Sequence, residues 1–277
     1  MELNKLNYYS QQFVRIAVYA LILCWFIWIW GPLLWDITRG FAANPQSGNL
    51  IPTGYTLDHY RAVLVDEHMT DYIVNSTVVT LISTSISLII GSLAAYSLTR
   101  YDPGQGKISF YILSMRFLPP VSLAIPLYLV FINIGWINTW QSLIFAYLTL
   151  GVPIVTWIMI IFFKKISIQL EEASRIDGWS RLQTWWRVVL PLAAPGISSA
   201  AIFAGILIWN EFVLALVLTT TREAQTIPIY LSGFVTTRGI LWGRMGAAMT
   251  IAITPVLLLA FLMQERLTAG FAMQQVE

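Results

Sequence analysis

The chain has 277 residues, of which 57% are hydrophobic and 11% are charged, whereas a soluble domain carries about 25% charged residues. Its formal net charge of +2 is too small to favour a nucleic-acid-binding protein. The single cysteine, Cys24, excludes both an internal disulfide and a metal cluster built from several thiolates. The composition therefore indicates a membrane protein.

Apolar segments recur along the whole chain, and each is long enough to cross a hydrocarbon core about 30 Å thick. The first follows a basic start, but it is too long and too aromatic for a secretory signal, and no small-residue cleavage site follows it. We therefore predict an all-α fold, a polytopic membrane bundle with about six transmembrane helices. The predicted spans are 13–35, 72–98, 108–132, 141–163, 197–218 and 245–263.

The distribution of basic residues predicts the orientation. Lysine and arginine concentrate in cytoplasmic loops, and a cytoplasmic N-terminus gives the larger share to the inside. Both termini are therefore predicted to be cytoplasmic, with Arg116 inside a span. The inner residues would be Lys5, Arg15, Arg100, Lys107, Lys164, Lys165, Arg175, Arg181, Arg187 and Arg266, against Arg39, Arg61, Arg222, Arg238 and Arg244 outside.

These spans divide the chain into three regions. Residues 1–71 form an N-terminal transmembrane anchor and an outer loop, and residues 72–263 form the main transmembrane domain. That domain contains a long cytoplasmic loop at 164–196, and residues 264–277 form a cytoplasmic tail.

The loop at 164–196 predicts a helix, a turn and a second helix. Gly178 suits the left-handed residue that ends a helix. Ser180 suits the cap of the second helix, which should stop at Pro191. On these grounds alone, the pair could be an interfacial element buried in the lipid headgroups.

The order of residues in this loop resembles the permease signature of ABC importers: Glu-Ala-Ala, three residues, Gly, nine residues, Ile, one residue, Leu-Pro. Four other stretches, 116–120, 125–128, 209–212 and 226–228, are similar to carbohydrate permeases of the maltose-transporter-like group. The resemblance implies a type I importer, in which this chain forms half of the pathway for a sugar or a related polyol or osmolyte. The signature positions here are Glu172, Ala173, Ser174, Gly178, Val188, Leu190 and Pro191.

The resemblance also implies partners: a second permease subunit, two cytoplasmic ATPase subunits that bind ATP and Mg, an extracytoplasmic solute-binding protein, and the lipid of the bacterial inner membrane. The chain itself has no Gly-x-x-x-x-Gly-Lys-Ser/Thr motif and should be neither catalytic nor cofactor-bound. Its tail either enters the ATPase interface or is disordered. The residues that the resemblance assigns to ATPase coupling are Glu171, Glu172, Ala173, Asp177 and Gly178.

Two ionisable residues fall inside predicted spans, where charges usually mark a pathway or a buried pair. Glu211 lies about 21 Å along its predicted helix, at 1.5 Å per residue. We predict that Glu211, Asn210, Trp209 and Arg116 lie on the substrate pathway, with the indole as a stacking surface. Alternatively, Arg116 reaches the cytoplasmic interface and Glu211 the outer one, or the two form a structural ion pair.

Four prolines inside the predicted spans, Pro119, Pro120, Pro126 and Pro153, predict local kinks. An ion-coupled secondary transporter is the main alternative function, because intramembrane charges also serve ion coupling. The chain contains neither His-Glu-x-x-His nor Gly-x-Ser-x-Gly, the motifs of an intramembrane enzyme. No metal site is predicted.

Overall fold

The structure, a computed structural model, describes residues 2–46, 49 and 51–272. Within these ranges the chain is almost entirely helical, with one short antiparallel hairpin formed by β1 (Val235–Thr236) and β2 (Gly239–Ile240). The helices are α1 (Glu2–Phe41), α2 (Asp58–Arg61), α3 (Met69–Tyr101), α4 (Lys107–Ser114), α5 (Pro120–Asn133), α6 (Trp140–Lys165), α7 (Ile168–Ile176), α8 (Arg181–Thr184), α9 (Leu190–Leu192), α10 (Ala194–Trp209), α11 (Val213–Leu218), α12 (Ile227–Ser232) and α13 (Trp242–Ala272).

The all-α membrane fold predicted from the sequence is confirmed. Three of the described helices are long and apolar enough to cross a membrane: α1 from Gln12 onward, α3 and α6. Two bent helix pairs raise the number to five if each pair forms one span. The sixth predicted span, 245–263, lies within α13 and overlaps its shorter apolar stretch, Trp242–Leu258.

The span predicted at 108–132 consists of two helical pieces, Lys107–Phe117 and Pro120–Asn133, which meet at 94°. The bend follows from Pro119, which is extended at φ −62° and ψ 137° and forms the N-cap of α5. A residue before a proline is disfavoured in the α region, so Pro120 can begin a helix but cannot continue one smoothly. By contrast, Pro126 and Pro153 lie inside the continuous helices α5 and α6.

A second bend precedes α10, where the helical stretch Arg181–Leu192 meets Ala194–Trp209 at 77°. The stretch continues one residue past Pro191, the predicted stop. The span predicted at 197–218 is also interrupted, because α10 ends at Trp209 and α11 begins at Val213.

The described residues fall into two compact units. The first comprises those within 1–67 and 234–251, where α1 meets the start of α13 through glycines. A Cβ atom on Gly40 would lie 2.7 Å from the backbone nitrogen of Ala247, so the two helices touch backbone to backbone. The guanidinium of Arg39 is buried, stacks 4.6 Å over the Trp35 ring and donates to the Pro45 carbonyl at 3.1 Å.

The second unit, comprising the described residues within 68–233 and 252–272, is built around α3, which packs against α6 and α10. The contact is close because small residues occupy it: a Cβ on Gly91 would lie 2.7 Å from Val155 Cγ1, and one on Gly151 would collide with Ser87. Small residues let membrane helices approach closely and pack by van der Waals contact. These helices therefore form one tightly packed body.

One of the two apolar clusters in this unit anchors the loop at 164–196 to the membrane helices. Trp185 and Val189, from the π-helical turn Trp185–Val189 that follows α8, pack in the same cluster as Ala95 of α3 and Phe163 of α6. The second half of the loop is thereby fixed to the ends of the spans.

Candidate functional site

The helix α7 ends where the sequence predicted, and local hydrogen bonds set both of its ends. The Ser167 side chain accepts a hydrogen bond from the Gln169 amide. At the other end, the amides of Gly178 and Trp179 donate to the carbonyls of Arg175 and Ser174, both at 3.1 Å. This is a Schellman motif, and Gly178 takes its left-handed position at φ +89°.

The helix α8 is fixed to α7 by a buried hydroxyl contact. Ser180 caps α8 in a capping box with Gln183, as its position in the sequence predicted. Ser174 of α7 donates to the Glu171 carbonyl at 2.8 Å, and its oxygen lies 2.9 Å from Thr184 Oγ1. Both hydroxyl side chains are buried, so the two helices form one rigid hairpin around the glycine turn.

Four of the five residues predicted for coupling share an exposed surface. Glu172, Ala173, Asp177 and Gly178 are exposed, and the neighbouring Ile176 has 86% of its surface accessible. We call this surface the coupling face. An open groove runs along it, with walls formed by Glu172, Arg175, Ile176, Gly178 and Trp179. The coupling face therefore combines charged side chains with one accessible apolar side chain beside an open groove.

The fifth residue, Glu171, points in the opposite direction. Its carboxylate is buried and accepts a hydrogen bond from Arg100 Nε at 2.6 Å and another from the Tyr96 hydroxyl at 2.7 Å, both from α3. Arg100 also donates to the Ile166 carbonyl at 2.9 Å. Sequence reasoning missed Tyr96 and Arg100. The available signal was that Arg100 and Glu171 have opposite charges on the same predicted side of the membrane.

Trp209 ends α10, and Asn210 and Glu211 lie in the break between α10 and α11. The Glu211 carboxylate accepts hydrogen bonds from the amides of Leu214 at 2.9 Å and Ala215 at 3.2 Å, and it is buried. Glu211 therefore caps the start of α11. Asn210 is exposed, with its amide nitrogen donating to the Ile206 carbonyl at 2.8 Å, and Trp209 is half-buried.

Arg116 occupies the other break, in the 3-10 turn Met115–Phe117 between α4 and α5, where it is exposed. The described part of the chain contains three ion pairs, and none joins Arg116 to Glu211. The structure thus brings Trp209, Asn210 and Glu211 together and does not pair them with Arg116.

The predicted tail lies partly outside the described residues. The backbone of α13 continues as a helix to Ala272. Residues 273–277, and with them the predicted end of the tail, are not among those described.

Comparison with known proteins gives consistent matches over most of the chain. Residues 75–272 match the family described as binding-protein-dependent transport system inner membrane component. The chain is 34% identical over 260 residues to the trehalose/maltose transport system permease protein MalG of Thermococcus litoralis, covering 92% of each protein.

Among solved structures, one chain of a bacterial ABC transporter involved in the import of the acidic polysaccharide alginate is similar, with a TM-score of 0.79 at 22% identity. The match covers 92% of this chain and 97% of that one. A chain of the bacterial alginate ABC transporter in complex with an alginate pentasaccharide-bound periplasmic protein matches with a TM-score of 0.68 at 17% identity, covering 91% and 95%. At these identities, the two structures show a shared fold.

Proposed function

Because the chain belongs to the family of binding-protein-dependent transport system inner membrane components, we propose that it couples ATP hydrolysis by partner subunits to sugar import through the coupling face of α7. As a member of this family it is a multi-pass inner-membrane permease subunit of an ABC importer, not an enzyme by itself. Family membership also removes the ion-coupled secondary transporter as an alternative.

The observation that carries the coupling role is the division of α7 into two faces. Glu172, Ala173, Asp177 and Gly178 are accessible to a partner, while Glu171 and Ser174 hold the helix to the rest of the chain. A short helix with a buried attachment and a free face transmits motion as a rigid body. The ATPase subunit is the partner that the signature implies, and the exposed Ile176 at the centre of the face offers it an apolar anchor.

The substrate pathway is proposed to pass the break between α10 and α11. Irregular backbone at membrane depth is tolerated only where protein buries it or where it borders a water-filled cavity. At this break the Glu211 carboxylate accepts hydrogen bonds from backbone amides of α11, and the neighbouring Asn210 presents an accessible side-chain amide next to Trp209 in the chain. An amide and an aromatic face suit a sugar, which offers hydroxyl groups and a flat apolar side.

The complete transporter is proposed to contain a second permease subunit, two cytoplasmic ATPase subunits that bind ATP and Mg, and an extracytoplasmic solute-binding protein. Both termini of this chain would be cytoplasmic, which places α7 on the ATPase side. The relative in Thermococcus litoralis carries trehalose and maltose in its name, so these two disaccharides are the first substrates to test.

Affinity purification of the tagged chain from its native membrane tests this proposal. The expected result is co-purification of an ATPase subunit and a second permease chain. Replacing Ile176 by Glu should release the ATPase subunit and keep the second permease, whereas Leu182→Glu, at another exposed apolar position outside the coupling face, should keep both. Recovery of the chain alone, or an ATPase subunit that Ile176→Glu does not release, would overturn it.

A further inference from the structure

The helix α3 is held by hydrogen bonds at two places that lie about one bilayer thickness apart. Near its C-terminal end, Tyr96 and Arg100 bind the carboxylate of Glu171 on α7. Near its N-terminal end, Asn75 and Ser76 bind the segment 219–227, which leads from α11 into the first residue of α12. Asn75 and Tyr96 are 21 positions apart in one unbroken helix, which at 1.5 Å per residue is about 31 Å.

Near the N-terminal end of α3, the side chains of Asn75 and Ser76 make four hydrogen bonds to other segments. The Asn75 amide nitrogen donates to the carbonyls of Arg222 and Gln225, each at 2.9 Å, and its oxygen accepts from Trp140 Nε1 at 2.8 Å. The Ile227 amide donates to the Ser76 hydroxyl at 2.8 Å. The Asn75 amide nitrogen therefore holds the segment 219–227 against α3, and the Asn75 oxygen joins α3 to the first residue of α6.

Between the two ends, α3 packs closely against α6. Gly91 and Ser87 lie against Val155 and Gly151 of α6 at distances that leave no room for a Cβ atom on either glycine. Packed interfaces of this kind have discrete arrangements instead of deforming continuously. Close packing of this kind favours movement of α3 and α6 together as one body.

We propose that α3 is the element that connects the coupling face with the segment 219–227 on the opposite side of the membrane. In this arrangement Tyr96, Arg100 and Asn75 are positioning residues: they touch neither nucleotide nor sugar, but they make the two ends move together. The inference rests on the proposed function, because it assigns the ATPase to one end and the solute-binding protein to the other.

The test uses the complete transporter reconstituted in liposomes and measures ATP hydrolysis with and without sugar-loaded binding protein. Arg100→Met and Asn75→Ala should each reduce the stimulation by binding protein at least about fivefold, with basal hydrolysis and complex recovery unchanged. Tyr96→Phe, which removes one hydrogen bond of the three at that end, should have a smaller effect. Lys107→Gln and Thr70→Ala, both at exposed positions, are the matched controls and should leave stimulation intact.

Two double variants separate transmission from simple stability. Arg100→Met with Glu171→Leu removes both buried charges, so it should recover the thermal stability that Arg100→Met loses without recovering stimulation. Arg100→Met with Asn75→Ala should be no worse than the more severe single variant, since either change breaks the same connection.

Recovered stimulation in the first double variant, or losses that multiply in the second, would overturn the role of α3. A wild-type complex that fails to assemble with an ATPase would instead contradict the proposed function. The two failures are therefore distinguishable.

Discussion

The Ser174 hydroxyl lies 2.9 Å from the Thr184 hydroxyl, and both side chains are buried between α7 and the helical stretch that leads into α10. Ser174 occupies the position where the importer signature has a second alanine. In this chain, the substitution adds a hydrogen bond across the hairpin that carries the coupling face.

The Ser174–Thr184 contact makes a prediction about stability. Ser174→Ala leaves Thr184 Oγ1 buried without its partner and should lower the free energy of unfolding by about 1–3 kcal/mol, because an unpaired buried polar group bears its full desolvation cost. Adding Thr184→Val removes that group and should restore most of the loss. Thermal unfolding of the purified complex measures both, and a double variant less stable than Ser174→Ala would contradict the pairing.

The left-handed backbone at Gly178 leads us to expect that ATP-driven transport depends on the conformation of this turn. Its φ of +89° is unfavourable for residues with a branched side chain, so Gly178→Val should strain the turn by about 1–2 kcal/mol. We expect ATP-driven uptake to fall sharply while the chain still reaches the membrane. Gly178→Asn is the control, because asparagine tolerates the left-handed conformation better. Normal uptake by Gly178→Val would show that the turn does not matter for coupling.

The packing of α3 against α6 and α10 predicts different outcomes at two glycines, Gly151 of α6 and Gly205 of α10. Gly151→Val should destabilise the protein by about 1–3 kcal/mol, because the new side chain collides with Ser87 in a packed interface. Gly205→Ala provides the comparison, since its Cβ would meet Thr84 Oγ1 at 3.8 Å, an ordinary contact. Equal melting temperatures for the two variants would contradict the packing described.

Glu211 and Asn210 are predicted to differ in role although they are adjacent. Glu211→Ala removes the acceptor for the first amides of α11 and should reduce stability by about 1–3 kcal/mol, whereas Glu211→Gln retains one oxygen and should lose less. Asn210→Ala should instead change the KM for sugar uptake with little effect on complex recovery. An altered KM in a fully stable Glu211→Ala variant would favour direct contact of the carboxylate with substrate.

The features that the sequence predicted correctly depend on neighbouring residues. Gly178 ends α7 and Ser180 caps α8 because both act within a few positions of themselves. Pro119 likewise produces the bend before α5.

The features that the sequence did not predict depend on distant contacts or lack a local signal. The pairing of Arg100 with Glu171 joins positions 71 residues apart, and nothing in either neighbourhood reveals which face of α7 is buried. The break after Trp209 contains neither proline nor glycine, so the apolar segment 197–218 reads as one helix. There the side chain of Glu211 caps α11. The sequence indicated only a charge inside a membrane span, which does not suggest a capping role.

The central claim is that this permease couples ATP hydrolysis to sugar import through α7. The most direct measurement is uptake of labelled trehalose and maltose by proteoliposomes that contain the complete complex and binding protein, with ATP supplied on the side of the ATPase subunits. The account predicts uptake that requires both ATP and binding protein and that is lost in Ile176→Glu. Uptake driven by an ion gradient without ATP, or unchanged by Ile176→Glu, would contradict it.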